Sequence, residues 1–120
     1  MKIIENWLKS RNNLLGDNAQ MEIISSDNMT VCRFYIKNPV ELNWHKHEHE
    51  QITIVNEGEL KVEFNNTIKV MKAGDAVIIP GNVMHKADIT KTPFRSYDIF
   101  SPVRQDFIDN ISVITNDRLE

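Results

Sequence analysis

From about residue 20 onward, apolar positions recur at every second residue, the period of a β-strand with one face buried. Residues 30–37, TVCRFYIK, put Cys32, Phe34 and Ile36 on one face and Val31, Arg33, Tyr35 and Lys37 on the other. Residues 59–64, ELKVEF, alternate Leu60, Val62 and Phe64 with Lys61 and Glu63. Asn65-Asn66 follows, a pair that tolerates the positive φ of a two-residue hairpin turn, and TIKVM returns as the partner strand. MEII (residues 21–24), DAVII (75–79), 83–87 and 95–100 complete the strand candidates. Between them lie turn signals at 25–28, Asn38-Pro39, 72–74 and Pro80-Gly81. Many short strands with frequent turns and no interleaved helices indicate an all-β, antiparallel sandwich or barrel.

The two ends follow a different period. Ile3, Ile4, Trp7 and Leu8 stand at helical spacing, and Leu14 and Leu15 extend it, so a short N-terminal helix is expected up to Gly16-Asp17-Asn18. Its apolar face requires cover from the domain or from a second copy. Val103, Phe107, Ile108 and Ile111 point to a short helix after Pro102. The expected organisation is an N-terminal segment (1–19), a barrel (20–103) and a C-terminal helix and tail (104–120).

Composition narrows the setting. At 120 residues the chain is one domain with enough length for a core. A net charge of −3 favours neither nucleic acid nor an anionic membrane, and no apolar run spans a bilayer. The single cysteine, Cys32, excludes an intrachain disulfide and suits a reducing compartment; it reads as a core thiol. Without a signal-peptide pattern in residues 1–15, the expected location is the cytoplasm.

The chemistry concentrates at residues 44–58, WHKHEHEQITIVNEG. Three of the four histidines, His45, His47 and His49, stand here at every second position. If this run is extended, two imidazoles on one face can chelate one metal ion, with His85 to complete the set. Alternation turns Glu48 and Glu50 away from the ligands. Gln51 and His49 compete as the remaining ligand. Such a set suits Zn, Ni, Fe, Mn or Cu, and the sequence does not choose among them. In residues 96–107, SYDIFSPVRQDF, alternation puts Asp98 and Phe100 on one side, with Arg104 just past the turn. By itself this fits a surface Arg–Asp pair as well as a site. Met84 and Tyr97 read as packing residues, and Trp44 as a core or rim residue.

The spacing His45-x-His47, then Gln51, then Gly58, followed by Gly74, Pro80 and His85, resembles the two motifs of the cupin superfamily. Those motifs have the forms H-x-H-x(3,4)-E-x(6)-G and G-x(5)-P-x-G-x(2)-H-x(3)-N. The resemblance implies a cupin double-stranded β-helix, a jelly-roll-like sandwich or barrel, holding one divalent transition metal through His45, His47, His85 and residue 51. The sequence departs from the pattern at Gln51 for glutamate, Asn82 for glycine and Ile89 for asparagine. Asn82 is mild, since Asn tolerates the left-handed region. Gln51 removes a charge and leaves a bound divalent ion more electron-poor.

HxHxHE followed by glutamine, together with DIFSPVRQDF, resembles the uronate-linearising cupins of pectin and alginate breakdown. That resemblance implies roles in activity for Asp98, Phe100 and Arg104. Arg104 would hold a sugar carboxylate, Asp98 would move a proton, and Phe100 would wall the ring. The leading expectation is therefore an isomerase-like, metal-dependent enzyme on a small anionic or sugar-like substrate. A non-catalytic metal or ligand-binding module and an Fe(II)-dependent dioxygenase are the alternatives. A homodimer is expected from the outward Ile52 and Ile54 and from the Ile3/Trp7 face.

Overall fold

The computed structural model describes residues 1–10 and 15–111. Eight strands run in chain order: β1 (Leu8–Lys9), β2 (Ala19–Ser25), β3 (Thr30–Ile36), β4 (Val40–His45), β5 (Glu50–Phe64), β6 (Thr67–Lys72), β7 (Ala76–Ile79) and β8 (His85–Ser101). One helix, α1 (Gln105–Asp109), follows. All pairings are antiparallel, in the order β1-β2-β3-β8-β5-β6, with β4 on β8 and β7 on β5.

Two long strands shape the molecule. The N-terminal part of β5, Glu50 to Val55, pairs with Ser101 to Ser96 of β8 and also with β7. Its C-terminal part, Leu60 to Glu63, pairs with Ile89 to Lys86 and with β6. The register slips between Val55 and Leu60. Gly58 sits in that slip at φ 81°, and a Cβ there would lie 2.7 Å from the Pro93 carbonyl oxygen. A glycine is therefore required where the two strands bend past each other. Through this bend the inner faces of both halves meet in one core of Ala19, Ile36, Val55, Leu60, Val62, Met71, Ile89 and Phe94. A second cluster, Met21, Ile23, Cys32, Phe100 and Phe107, seats α1 against the barrel end.

The period-two segments are strands as expected, and Asn65 and Asn66 take φ of 50° and 59°, which closes the β5–β6 hairpin. Residues 85–87 and 95–100 belong to one strand rather than two, because β8 continues through Pro93, while Val83 and Met84 precede it. The expected N-terminal helix is not formed among the described residues. Leu8 and Lys9 instead pair with Ile23 and Glu22, and Gly16–Asn18 is a single 3-10 turn. Trp7 finds its cover on the sheet, 6.1 Å from the Tyr97 ring, with the Arg33 guanidinium 4.4 Å from its own centroid. Leu14 and residues 112–120 lie outside the described residues. Met84, read as packing, is 47% exposed.

Candidate metal centre and adjoining carboxylate

The histidine run is not one strand. His45 ends β4, residues 46–49 form a loop, and β5 begins at Glu50. His45 nonetheless faces inward because β4 carries a bulge. Leu42 pairs with Ala87 and His45 with His85, so three steps on β4 match two on β8. Without that extra residue, alternation from Leu42 would turn Trp44 inward instead; Trp44 is 46% exposed. His47 comes from the loop, which the next turn supports. The Asn82 N–H donates to the His47 carbonyl at 2.7 Å. A Cβ on Gly81 would collide with the Glu48 carbonyl, and Asn82 adopts φ 63°. Glu48 and Glu50 are exposed, as alternation implied.

The ligand atoms of His45, His47 and His85 lie within 4.8 Å of one another. Each ring is oriented by a backbone carbonyl: His45 Nδ1 donates to Asn43 O (2.8 Å), His47 Nδ1 to His49 O (2.9 Å) and His85 Nδ1 to Val83 O (2.8 Å). A carbonyl can only accept, so each Nδ1 carries the hydrogen and a neutral ring leaves Nε2 as a lone pair. Burial lowers the pKa of His47, and Arg104 lowers it further; burial also lowers that of His85. Both effects favour the neutral, ligating form.

Gln51 brings a fourth donor, an amide oxygen, beside the three imidazoles. Its Nε2 donates to Thr53 Oγ1 at 2.9 Å, and a side-chain hydrogen bond from Gln51 also acts on Asp98. A carboxylate accepts, so the amide nitrogen belongs on the Asp98 side. Oε1 then faces His47 Nε2 at 3.0 Å. Two lone pairs so close are unfavourable alone and become a ligand pair beside a cation. The donor set of three imidazoles and one amide oxygen therefore fits a divalent transition ion. His49 stands outside the group of three, and its buried Nδ1 has no hydrogen-bond partner among the described residues.

Beside this set, Thr53, Asp98 and Cys32 form one row across β5, β8 and β3, and Gln51, Phe100 and Thr30 form the next row but one, on the same face. Asp98 is 7% exposed, and its Oδ1 has no hydrogen-bond partner among the described residues. Burial raises its pKa to about 6, against the opposing pull of the Thr53 hydroxyl, Arg104 and Gln51. Cys32 is fully buried, and burial and Asp98 push its thiol far above the ordinary range, so it is an inert core group. Phe100 is a buried wall rather than an open platform, with its ring 5.7 Å from His47 and 5.6 Å from Phe107. Arg104 pairs with Asp106 and not with Asp98, through Nε to Oδ1 (3.0 Å) and Nη2 to Oδ2 (2.8 Å).

His45, His47, His85, Gln51, Asp98, Phe100 and Arg104 line one cavity of about 620 Å³, whose lining also includes the apolar Phe34, Ile36, Leu60 and Val62. Thr53, Ser96 and Asp106 also line it and were not singled out from the sequence. Thr53 and Ser96 lie two residues from Gln51 and Asp98, so continuing the period of two from the candidate residues would have found them.

An antiparallel β-fold with three converging histidines beside a cavity defines a class. Residues 35–100 match the Cupin domain family, and the chain belongs to it. Among known members, the chain is 35% identical over 97 residues to the pectin degradation protein KdgF of Dickeya dadantii (strain 3937), covering 78% of this chain and 87% of that one. The solved structure of KdgF from Halomonas sp. superposes with a TM-score of 0.71 at 25% identity, over 84% of this chain and 89% of that one. A RmlC-like cupin from Shewanella frigidimarina NCIMB 400 gives 0.72 at 28% identity, over 89% and 94%. Among the described residues, no helix is long and apolar enough to cross a membrane.

Proposed function

We propose that this chain is a metal-dependent enzyme that opens and tautomerises a small 4,5-unsaturated uronate. His45, His47, His85 and Gln51 are the metal ligands; Asp98, Arg104 and Phe100 are the groups that meet the substrate. The observation that carries the reading is Asp98, a buried carboxyl with an unpartnered oxygen beside the histidine cluster. Similarity to a pectin degradation protein supports the substrate class. A divalent ion held there would supply Lewis-acid polarisation of a substrate oxygen.

The chain's own residues account for the rest. Ring opening breaks the bond between C1 and the ring oxygen. The anomeric hydroxyl gives up a proton as C1 becomes an aldehyde, and the ring oxygen gains one as the C5 enol. Ketonisation then removes the enol proton and places one on C4. The formula is unchanged and only protons move. A carboxyl with a pKa of about 6 both accepts and returns protons near neutrality. Arg104 opposes the charge of the sugar carboxylate, and Phe100 closes the wall behind His47. On this reading the barrel of residues 20–103 carries the ligands and Asp98, and the 104–120 segment contributes Arg104. The buried thiol of Cys32 is in keeping with a cytoplasmic setting.

The test is to follow loss of the 4,5-unsaturated chromophore of monomeric unsaturated galacturonate with metal-loaded protein. Catalysed loss without oxygen consumption is the expected result. Saturable binding without chemical change would make the chain a binding module, and Fe(II)-dependent oxygen uptake would make it a dioxygenase.

We also propose a homodimer through the outer face of β7, β5 and β8. There Ile78 is 62% exposed beside its partner Ile52, with Ile54 and Tyr97 in the next row but one. A monomer mass by light scattering at micromolar concentration would refute it.

A further inference from the structure

Arg104 is held on three sides. Its guanidinium lies over the Phe107 ring (4.0 Å) and the Phe100 ring (4.6 Å), which cover a π-face. Its Nε/Nη2 edge is taken by the two oxygens of Asp106. Its backbone N–H donates to Thr30 Oγ1 at 3.0 Å, and Thr30 is fully buried. The local sequence explains the arrangement. Arg104 is the residue immediately before α1, whose first turn carries Asp106 and Phe107, so one helix turn supplies both the carboxylate and the ring. The remaining corner of the guanidinium, Nη1, makes no hydrogen bond among the described residues, and Arg104 lines the cavity. Arginine side chains are long and rotamer-rich, so an edge-on carboxylate and two rings remove most of the freedom that a ligand would otherwise have to remove.

We propose that Asp106 is a positioning residue: it fixes the Arg104 fork by its Nε/Nη2 edge so that the Nη1 corner is presented to an anionic substrate in the cavity. The arrangement has a second consequence. Because Asp106 occupies the Nε/Nη2 edge, a substrate carboxylate meets Arg104 at the Nη1 end of the guanidinium and not at that edge. Asp106 also offsets the charge of Arg104, so the site favours a single carboxylate over a more highly charged anion. The proposal rests on the uronate reading for its substrate and not for its geometry, and the experiment separates the two.

The geometry is read without turnover, from the Arg104 Nε–H signal in the NMR spectrum of metal-free protein. A slowly exchanging, shifted Nε–H is expected in the wild type, lost in Asp106→Asn and regained in Asp106→Glu. Equal protection in Asp106→Asn overturns the proposal, whatever the protein turns over. The consequence for substrate is read on metal-loaded protein with unsaturated galacturonate. KM is expected to rise about 10-fold in Asp106→Asn while kcat stays within about 2-fold, with Asp106→Glu recovering most of the loss. A fall in kcat at constant KM would show that Asp106 only stabilises the helix turn, and would overturn it. Released Nε–H in Asp106→Asn, with no turnover by any form, would leave the positioning role standing and remove the uronate reading alone.

Discussion

The two halves of the candidate site are finished to different degrees. At the barrel mouth every histidine Nδ1 of the triad donates to a backbone carbonyl within 2.9 Å, and three lone pairs converge. A few ångströms along β5 and β8, Asp98 is buried with one oxygen unpartnered and a pKa of about 6. The first arrangement has the donor set that a divalent ion takes. The second is a destabilising arrangement that packing alone does not call for, since its row neighbours Thr53 and Cys32 are buried without such strain. The contrast teaches where each kind of work is done. Rings locked by carbonyls are fixed in tautomer and direction, as ligands need to be. A carboxyl left short of partners is poised to exchange protons.

Breaking the first half has the largest expected effect. His85→Ala removes a ligand from the most buried ring of the three. Affinity for a divalent ion, measured by competition with a chromophoric chelator, should fall by at least about 100-fold. Retained affinity would show that the triad is not the metal site.

The second half is sharpened by pH. A raised carboxyl pKa contributes stability that is fully present below the ordinary value of 3.8 and is lost as pH rises through about 6. At neutral pH the ionised Asp98 is therefore a cost. The difference of about 2, at ~1.4 kcal/mol per pH unit, amounts to ~3 kcal/mol. Metal-free Asp98→Asn should exceed the wild type in urea stability by more at pH 8 than at pH 4, by up to that amount. A gap that does not change with pH would contradict the burial argument.

Much of this contrast was legible in the chain. The period of two gave the strands, the His45-x-His47…His85 spacing gave the triad, and Asp98 and Arg104 were found through the segment that carries them. Four features were hidden for physical reasons. The β4 bulge is a register step, and register belongs to a pair of strands; a plain alternation from Leu42 turns the wrong residue inward. The N-terminal apolar residues imitate a helical face because a two-residue strand is too short to show its own period. The sequence allows an Arg104–Asp98 pair, whereas the carboxylate that Arg104 meets is two residues away, on the first turn of a helix only five residues long. Pro93 lies inside β8, and a proline within a run reads as a break in a strand.

The central claim is that metal holding and proton movement reside in separate residues. Asp98→Asn tests it most directly, with metal affinity and turnover of unsaturated galacturonate measured on the same preparation. The expected result is affinity within about 3-fold of the wild type and turnover reduced by at least about 1,000-fold. Normal turnover with metal bound would contradict the account.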